Sequence, residues 1–466
     1  MKIAFHGAAR MVTGSKHLIT TDAGKKILLD CGMFQGHPKE TEQLNKDWGF
    51  EPNDIDYLIL SHAHIDHSGL IPKLIKDGFR GKIYCTPGTY DLAEILLLDS
   101  ARIHESDIKY LNRKRAKANK KPYDPLYTED DALLALKKMK QVDYDKWESI
   151  DHDIKVLFKD AGHIIGSASV SLIINEHGKE KKIAFSGDIG RYNDEILREP
   201  QKFPQADVII CESTYGDSLH EPIEVVTKQL HEIIIDTCVK KKGNLIIPAF
   251  SVGRTQEIVY ALNRLEVEKK LPDIDFYVDS PLSVEATEVM KSHSEYYNDK
   301  LKAFMKRDPN PFGFKRLHFI KNVDESKALM YEKKPVVIIS SSGMADAGRV
   351  KHHIAHNIEN PNSTILIVGY CEPRSLGGRL KNGAETVTIF GDEYRVHCDI
   401  KSVNSLSAHG DYNDMTKFLS CQDAEKVEQL FLVHGEYDVQ QNFQEKLSLL
   451  GFKRISIPAL HQEFTI

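Results

Sequence analysis

Short apolar runs that end in polar residues recur over residues 1–212, separated by loops rich in Gly, Asp and His. Apolar runs bounded by turn residues are typical of buried β-strands. The predicted strands cover residues 26–30, 57–60, 182–185 and 208–210. Because ligands and catalytic groups collect at strand ends in layered α/β proteins, this pattern predicts a single active edge.

The pattern changes over residues 213–395, where helical segments alternate with short, continuously apolar runs. These runs lie at residues 244–248, 276–278 and 336–339. Continuous apolar strands between helices are typical of parallel sheets that are covered on both faces. We therefore expect a second α/β unit with parallel strands in this region.

Residues 396–466 return to the first pattern, since the apolar run at 430–433 is again followed by a histidine. A chain of 466 residues is also too long for one ordinary hydrophobic core. We therefore expect an α/β protein in which a domain at 213–395 interrupts a domain formed by 1–212 and 396–466.

Composition and charge exclude several classes of function. Hydrophobic residues make up 41% of the chain and the longest apolar stretches are far shorter than a membrane span, so we expect no membrane partner. Residues 1–7 lack the features of a secretory signal, and the seven cysteines are scattered singly, which together predict a cytoplasmic protein. The net charge of −6 excludes nucleic-acid binding through overall basicity.

One local stretch departs from this background: residues 113–121 carry a run of lysines and arginines flanked by Tyr110 and Tyr123. A solvated helix face is the simpler interpretation of such a run. Contact with phosphate is the alternative, because aromatic side chains among cations can stack on bases. The sequence leaves both interpretations open.

The segment Ser61-His62-Ala63-His64-Ile65-Asp66-His67 is the strongest chemical signal, because it places three imidazoles and a carboxylate directly after a predicted strand. Histidines spaced by one residue in an extended turn point to the same side, while Asp66 and His67 open a predicted helix and can face a second ion. Histidines of an exposed surface or of a hydrogen-bonded core are the alternative. Four donors in this order favour a dinuclear metal site that activates water.

Further metal ligands are expected after other apolar runs. His163 and Asp188 follow such runs and have the small neighbours Gly162 and Gly187, and His434 follows the run at 430–433. One metal would be held by His62, His64 and His163, the other by Asp66, His67 and His434, and Asp188 would bridge the two. Nitrogen-rich ligation without thiolates favours two zinc ions, with manganese or iron as alternatives.

Together these segments resemble known motifs in order along the chain. Leu29-Asp30-Cys31-Gly32, His62-Ala63-His64-Ile65-Asp66-His67, His163 and Asp188 are similar to the first four motifs of the metallo-β-lactamase superfamily. Cys211-Glu212-Ser213-Thr214-Tyr215-Gly216, Ser405-Leu406-Ser407-Ala408-His409 and Leu432-Val433-His434-Gly435 resemble motifs A, B and C of its β-CASP nucleases. The chain thus resembles the family that includes the endonuclease of mRNA 3′-end cleavage.

The resemblance implies a metallo-β-lactamase αββα sandwich with an inserted α/β β-CASP domain whose sheet is mainly parallel. It also implies a zinc-dependent ribonuclease that acts on single-stranded RNA and leaves 5′-phosphate and 3′-hydroxyl ends. RNA is the expected substrate because a histidine in motif C, here His434, is associated with RNA substrates in this family. Endonuclease and 5′-exonuclease action both stay open, as does a homodimer.

Roles for individual residues follow from the resemblance and from charge development. Asp66 takes part in catalysis as a metal ligand, and His409, held by Glu212, would donate a proton to the leaving 3′-oxygen. Asp30 would orient a liganding histidine.

Phosphate or nucleotide binding is expected from Arg254 and from the turn Ser341-Ser342-Gly343, because guanidinium matches phosphate and glycine allows close backbone approach. A salt bridge for Arg254 and a helix start for the serines are the structural alternatives.

Two other functions stay open. A DNA or small-molecule hydrolase on the same fold would act comparably on DNA, thioesters or lactams. A non-enzymatic scaffold of an RNA-processing complex is the second alternative, and the presence of all the expected ligands disfavours it.

Overall fold

The computed structural model describes residues 1–36, 38–220, 223–369, 371–403 and 407–466. The chain forms two compact units, one made of Met1–Leu219 and His409–Ile466 and the other of His220–Ala408. The limits of these units fall near the expected domain limits of 212/213 and 395/396, which stay predictions. No helix of the described ranges combines the length and the apolar character that crossing a bilayer requires.

Both units contain strands and helices. The strands are β1 (Lys2–Phe5), β2 (His17–Thr20), β3 (Lys26–Leu29), β4 (Tyr57–Ile59), β5 (Lys82–Cys85), β6 (Met139–Gln141), β7 (Glu148–Ser149), β8 (Ile154–Asp160), β9 (Ala168–Glu176), β10 (Lys179–Phe185), β11 (Val208–Glu212), β12 (Leu245–Pro248), β13 (Asp275–Val278), β14 (Leu317–Phe319), β15 (Val336–Ser340), β16 (Thr364–Val368), β17 (Thr386–Ile389), β18 (Asp392–Arg395), β19 (Asp399–Val403), β20 (Gln429–Val433), β21 (Ile455–Ser456) and β22 (Gln462–Thr465). The α-helices are α1 (Pro38–Lys46), α2 (Ile65–Ser68), α3 (Ile71–Lys76), α4 (Pro87–Lys117), α5 (Glu129–Lys138), α6 (Ile223–Ile234), α7 (Arg254–Val267), α8 (Pro281–Ser292), α9 (Asp299–Met305), α10 (Val323–Ala328), α11 (Val350–Asn357), α12 (Leu376–Lys381), α13 (Tyr412–Leu419) and α14 (Tyr437–Leu449).

The first unit contains two mixed sheets that share one core. Within the described residues, one sheet has the strand order β22-β1-β2-β3-β4-β5-β6 and the other the order β21-β20-β11-β10-β9-β8-β7. Buried side chains from both sheets pack together, among them Phe5 and Ile27 from the first sheet and Phe158, Ile210 and Phe431 from the second. The two sheets therefore form a sandwich.

The second sheet of this unit is buried on both faces at strand β11. Along β11, Ile210 points into the core between the sheets, whereas Ile209 and Cys211 pack against helices α13 and α14. Successive residues of a strand face opposite sides of a sheet. A continuous apolar run such as that of β11 is therefore what burial on both sides requires.

Several expected site residues lie at one end of neighbouring parallel strands. Strands β10, β11 and β20 are parallel to one another, and β3 is parallel to β4 in the facing sheet. Parallel strands end at the same edge of a sheet, so the residues that follow them are brought together. Asp188, Glu212 and His434 lie at the ends of β10, β11 and β20, and Asp30 and His62 follow β3 and β4.

The second unit contains a parallel sheet. In the part of the chain that is described, its strand order is β14-β13-β15-β12-β16-β19, and each neighbouring pair is parallel. Buried aliphatic side chains from β12, β15 and β16 pack against those of α11 and α12 on one face. The strands predicted at 244–248, 276–278 and 336–339 correspond to β12, β13 and β15.

Truncation of Phe431 is expected to destabilise the first unit. Its ring is fully buried and contacts the rings of Phe5 and Phe464 in the facing sheet, at centroid distances of 4.9 and 4.8 Å. Phe431→Ala should lower the free energy of unfolding by about 3–5 kcal/mol, because it leaves a cavity between the sheets. Denaturant-induced unfolding measures the change, and Leu449→Ala, at a side chain that is 88% exposed, should stay within about 0.5 kcal/mol of the parent. Equal effects of the two substitutions would contradict the packing described.

Candidate metal centre

The His62 to His67 segment connects strand β4 to a short helix. Helix α2 begins at Ile65, so Asp66 and His67 lie within its first turn, as the sequence predicts. His64 lies just before the helix in an extended conformation. The backbone changes from extended to helical after His64. His62 and His64 therefore face one candidate ion position, and Asp66 and His67 face another.

Three histidines and one carboxylate form the first group of candidate ligand atoms. One donor atom each of His62, His64, His163 and Asp188 lies within 4.8 Å of the others. His64 Nδ1 is 3.2 Å from His62 Nε2 and 3.1 Å from His163 Nε2. Asp188 Oδ2 completes the group at 3.4 Å from His62 Nε2 and 3.5 Å from His163 Nε2. We call His62, His64 and His163 the trihistidine set.

The second group contains Asp66, His67 and His434, which we call the mixed set; one donor atom of each lies within 4.8 Å of the others. His434 Nε2 is 3.4 Å from Asp66 Oδ2. The other oxygen of Asp188, Oδ1, lies 3.2 Å from His67 Nε2 and 3.9 Å from His434 Nε2. The two carboxylate oxygens of Asp188 thus face different sets, which is the arrangement of a bridging ligand.

Tight backbone turns place these donors. Gly187, with φ of 55°, lets the chain pass close to β9 and β4, because a Cβ there would lie 2.8 Å from the carbonyl oxygen of Ala168. His434 itself has φ of 51°, a conformation that costs a non-glycine residue free energy. Such strain is concentrated at functional sites, where the surrounding structure enforces it.

The electrostatics of the trihistidine set suit a metal ion. Burial lowers the pKa of His62 to about 3 and that of His64 to about 4. Burial also lowers the pKa of His163 well below its ordinary value. All three imidazoles are therefore neutral at physiological pH, which is the form that binds a metal.

The mixed set and the bridge carry the compensating charge. Burial lowers the pKa of His67, but the carboxylates of Asp188 and Asp30 more than offset this and raise it well above its ordinary value. In the part of the chain that is described, His67 Nε2 and Asp188 Oδ1 are buried without a hydrogen bond. A cation between them would replace the proton of His67 and satisfy both atoms. The residues present therefore fit a pair of divalent metal ions.

The trihistidine set, the mixed set and Asp188 together form what we call the metal cluster. Asp30 is buried behind this cluster. Its Oδ2 accepts a hydrogen bond from Nδ1 of His67 at 2.6 Å and one from the hydroxyl of Ser61 at 2.9 Å. Its Oδ1 accepts the backbone N–H of Ser61 at 2.7 Å. A carboxylate that holds the remote ring nitrogen of a ligand fixes both its tautomer and its orientation. This position fits the orienting role expected for Asp30.

His409 and Glu212 lie beside the cluster in the same unit. His409 Nδ1 is 3.2 Å from both carboxylate oxygens of Glu212, and its Nε2 is 3.8 Å from Oδ2 of Asp188. Burial lowers the pKa of His409, but the carboxylates of Glu212 and Asp188 more than offset this and raise it to about 9. Without bound metal, His409 therefore carries a proton at neutral pH and loses it as the pH rises through about 9. Ser405 and Leu406, at the start of motif B, lie outside the described residues.

Two hydroxyl side chains near the cluster were not among the expected site residues. Thr214 Oγ1 donates to Glu212 at 2.6 Å and lies 3.0 Å from Nδ1 of His434, so it connects the two. Ser167 Oγ accepts the backbone N–H of His163 at 3.0 Å and shapes the loop that carries it. Both lie within four residues of an expected site residue, but a single hydroxyl at such a distance is not a distinctive pattern, so the sequence carried no specific signal for either role.

The expected phosphate-binding residues lie in the second unit, at the ends of neighbouring strands β12 and β15. Arg254 begins α7 and pairs with Glu257 of the same helix. Ser341 Oγ is 2.8 Å from the hydroxyl of Ser280. The backbone N–H of Ser342 donates to the carbonyl of Ala347 at 3.2 Å.

Gly343 packs against an aromatic ring, because a Cβ there would lie 2.7 Å from Phe250. Phe250 belongs to the turn between β12 and α7, which also leads to Arg254. The structure thus brings the turns at 249–254 and 341–343 next to each other. Phosphate binding by these residues stays a prediction.

The sequence matches three known protein families in order along the chain. Residues 14–226 match the metallo-β-lactamase superfamily, residues 255–380 the Beta-Casp domain, and residues 393–458 the Zn-dependent metallo-hydrolase RNA specificity domain. These matches confirm the fold class inferred from the sequence motifs.

Relatives are similar over nearly the whole chain. A protein of Thermus thermophilus named as a ribonuclease is 32% identical over 97% of this chain and 95% of its own length. An RNase J-like protein of Methanocaldococcus jannaschii is 33% identical over 93% of this chain and 92% of its own. The transcription termination factor FttA of Methanosarcina mazei is 28% identical over 96% of this chain and 70% of its own.

Proposed function

Because this chain belongs to the β-CASP family of the metallo-β-lactamase superfamily, we propose that it is a metal-dependent ribonuclease that hydrolyses phosphodiester bonds of single-stranded RNA. The observation that carries the proposal is the position of Asp188, whose two oxygens face two separate sets of ligands. Two ion sites that share one carboxylate, beside a histidine held by a second carboxylate, suit phosphodiester hydrolysis better than structural metal binding, in which each ion has its own four protein ligands.

Two zinc ions per chain are the proposed cofactor. Imidazole-rich ligation without a thiolate, with one carboxylate between the ions, suits zinc, and manganese or iron are the alternatives. The trihistidine set and the mixed set would each hold one ion, with Asp188 in common. When bound, the ions supply a water that is activated near neutral pH and positive charge that offsets the phosphate.

The protein's own residues prepare the leaving group. Glu212 holds Nδ1 of His409, which leaves the Nε2–H of the ring facing the cluster. As water attacks phosphorus and the bond from phosphorus to the ribose 3′-oxygen breaks, His409 Nε2 transfers its proton to that oxygen. The products carry a 5′-phosphate and a 3′-hydroxyl. The backbone N–H of Ile189 and the hydroxyl of Thr214 donate to Glu212 and keep its carboxylate in place.

RNA is the proposed substrate for two reasons. The family match at 393–458 is to an RNA specificity domain, and two of the relatives are named as a ribonuclease and as RNase J-like. In addition, motif C carries a histidine, His434, as in the RNA-processing members that the sequence resembles. Arg254 and the Ser341-Ser342-Gly343 turn are proposed to bind phosphates of the same strand. A cytoplasmic location and a homodimer stay predictions.

Product mapping tests this function. The full chain with zinc is incubated with single-stranded RNA labelled at either end, with DNA of the same sequence, and with a β-lactam and a thioester. We expect preferential RNA cleavage with 5′-phosphate and 3′-hydroxyl ends, and the label pattern distinguishes internal cuts from 5′-end removal. Comparable turnover of DNA, lactam or thioester would favour a general metallohydrolase, and metal-loaded protein that cleaves nothing would favour a scaffold.

A further inference from the structure

The carboxyl-terminal part of helix α4 and the loop after it form a strongly basic element, residues 109–123, which we call the basic arm. Its cations are Lys109, Arg113, Lys114, Arg115, Lys117, Lys120 and Lys121. No acidic residue occurs between Asp107 and Asp124, although the chain as a whole has a net charge of −6. The basic arm therefore concentrates positive charge on a protein that is otherwise acidic.

The basic arm is exposed and its charges are unneutralised. All its residues are exposed except Asn112 and Arg115, which are half-buried. None of its cations forms an ion pair with a carboxylate of the described residues. Earlier on the same helix, by contrast, Arg102 pairs with Glu129 at 2.6 Å.

Hydrogen bonds hold the basic arm in a defined shape. The side-chain amide of Asn112 donates to the carbonyl of Tyr123 and accepts its backbone N–H, both at 2.8 Å. Nε of Arg115 donates to the carbonyl of Lys121 at 2.6 Å. The loop is thereby fastened to the helix, and a surface fixed in advance loses less entropy when it binds a ligand.

Two tyrosines flank the main run of cations. Tyr110 and Tyr123 are 58% and 49% exposed. The ammonium of Lys114 lies 4.4 Å from the ring centre of Tyr110, and the guanidinium of Arg115 lies 3.8 Å from that of Tyr123. Each ring has a cation on one face. Exposed aromatic rings among cations are the elements with which proteins bind single-stranded nucleic acid, because bases stack on the rings while phosphates meet the cations.

A merely solvated helix face does not account for this arrangement. Charged surface helices ordinarily gain from opposite charges three or four residues apart, and like charges at that spacing are unfavourable. The helix dipole favours the cations of the last turn, Lys114, Arg115 and Lys117. It does not reach Lys120 and Lys121 beyond the helix. The unneutralised charge is therefore better explained by an anionic partner.

We infer that the basic arm binds the backbone of single-stranded RNA at a site separate from the metal cluster. The identity of the ligand rests on the proposed ribonuclease function. Helix α4 begins beside the loop of His163, since the hydroxyls of Thr86 and Thr89 donate to the carbonyl of Gly166 at 2.6 and 2.8 Å. The helix has 31 residues and the basic arm starts at Lys109, so the helical part of the arm lies roughly 33–45 Å along the helix from that end. It would bind a part of the RNA that is remote from the bond to be cleaved.

Neutralising three cations of the basic arm tests this inference. The substitutions Arg113→Gln, Lys117→Gln and Lys120→Gln are combined, because these side chains do not hold the loop and glutamine has a similar helix propensity. Binding to a fluorescent single-stranded RNA long enough to span the helix is measured over a range of salt concentrations. The metal-loaded full chain carries His409→Ala in all samples to slow cleavage.

The expected result is a weaker salt dependence. Each phosphate contact on a single strand contributes about 0.7 to the slope of log affinity against log salt, so the slope should fall by about 2 and the affinity by about tenfold to a hundredfold at ~0.1 M salt. The matched control combines Lys137→Gln, Lys155→Gln and Lys179→Gln, which removes the same charge from exposed positions of the same unit and should change the slope much less.

The stacking component has its own variant. Tyr110→Ala should weaken binding by about tenfold without changing the salt slope, because it removes a ring and no charge. An unchanged affinity would remove base stacking from the proposal.

The outcomes separate this inference from the proposed function. With His409 intact, the triple variant should cleave RNA that is too short to reach the basic arm at the parent rate. Its rate of cleavage should fall only on RNA long enough to span helix α4. An unchanged salt slope would overturn the inference even if RNA is cleaved. A reduced slope in a chain that cleaves no RNA would support the inference while the proposed function fails. Binding of the triple variant to phosphatidylserine vesicles is measured in parallel. If the variant binds RNA as the parent does but no longer binds the vesicles, the inference is overturned and the partner is a membrane surface.

Discussion

Asp188→Asn is expected to abolish RNA hydrolysis, with a fall in kcat of about 10⁴-fold or more, since the activated water depends on both metal ions. Asp188 is the residue whose oxygens contact both ligand sets, with Oδ2 near His62 and Oδ1 near His67. An amide offers one oxygen with little charge and a nitrogen that repels a cation. The variant should therefore lose metal as well as activity.

Metal content by elemental analysis and kcat on single-stranded RNA measure the two losses together. The control is Asp194→Asn in the same unit, at a carboxylate that accepts the backbone N–H groups of Ile196 and Leu197 and lies outside the cluster. Asparagine preserves an acceptor oxygen there, so the control should keep metal and activity. Full activity of Asp188→Asn with two metals per chain would contradict the bridging role.

His409→Ala is expected to lower kcat by about 10²–10⁴-fold, the usual contribution of a positioned general acid. Its ring is held by Glu212 and belongs to neither the trihistidine set nor the mixed set, although a donor atom of His409 lies within 4.8 Å of donor atoms of Asp188, Glu212 and His434. Because both sets keep all their ligands in this variant, metal content should stay near that of the parent. Glu212→Gln should have a smaller effect, because the histidine remains but loses the carboxylate that favours its protonated form.

A substrate with a better leaving group makes this test specific. In an RNA whose scissile 3′-oxygen is replaced by sulfur, the leaving group departs as a thiolate and needs no proton at that step. The loss caused by His409→Ala should largely disappear on this substrate, whereas the loss caused by Asp188→Asn should persist. His152→Ala, at an exposed histidine of the same unit, is the control. An equal loss on both substrates would show that His409 does not act as the proton donor.

Strand positions were largely predictable from the apolar pattern, because strands buried on both faces are continuously apolar. The run at 26–30 contains β3, and the run at 208–210 corresponds to most of β11. Strand β10 was predicted three residues too short, since its first part, Lys179-Glu180-Lys181, is polar and pairs with β9 where one face is exposed. Apolar runs locate buried strands, but a polar hairpin extension carries no such signal.

That the candidate donors lie close together was also foreseeable, because most of them follow parallel strands that end at one sheet edge, whereas His163 follows β8, which is antiparallel to β9. Metal binding by these residues stays a prediction. What the sequence could not provide is the division of Asp188 between two ligand sets, which depends on side-chain direction after the tight turn at Gly187. The roles of Ser61 and Thr214 were equally hidden, since a single hydroxyl beside a ligand has no distinctive spacing. The sequence could not show that the cations of the basic arm are exposed and form no ion pair with a carboxylate of the described residues.

RNA cleavage by metal-free and metal-restored protein tests the central claim most directly. The purified full chain is stripped with a chelator, dialysed, and assayed on single-stranded RNA alone and with increasing zinc, manganese or iron. The account predicts no cleavage by the metal-free chain and recovery that saturates at about two ions per chain. Undiminished RNA cleavage by metal-free protein in the presence of chelator would contradict it.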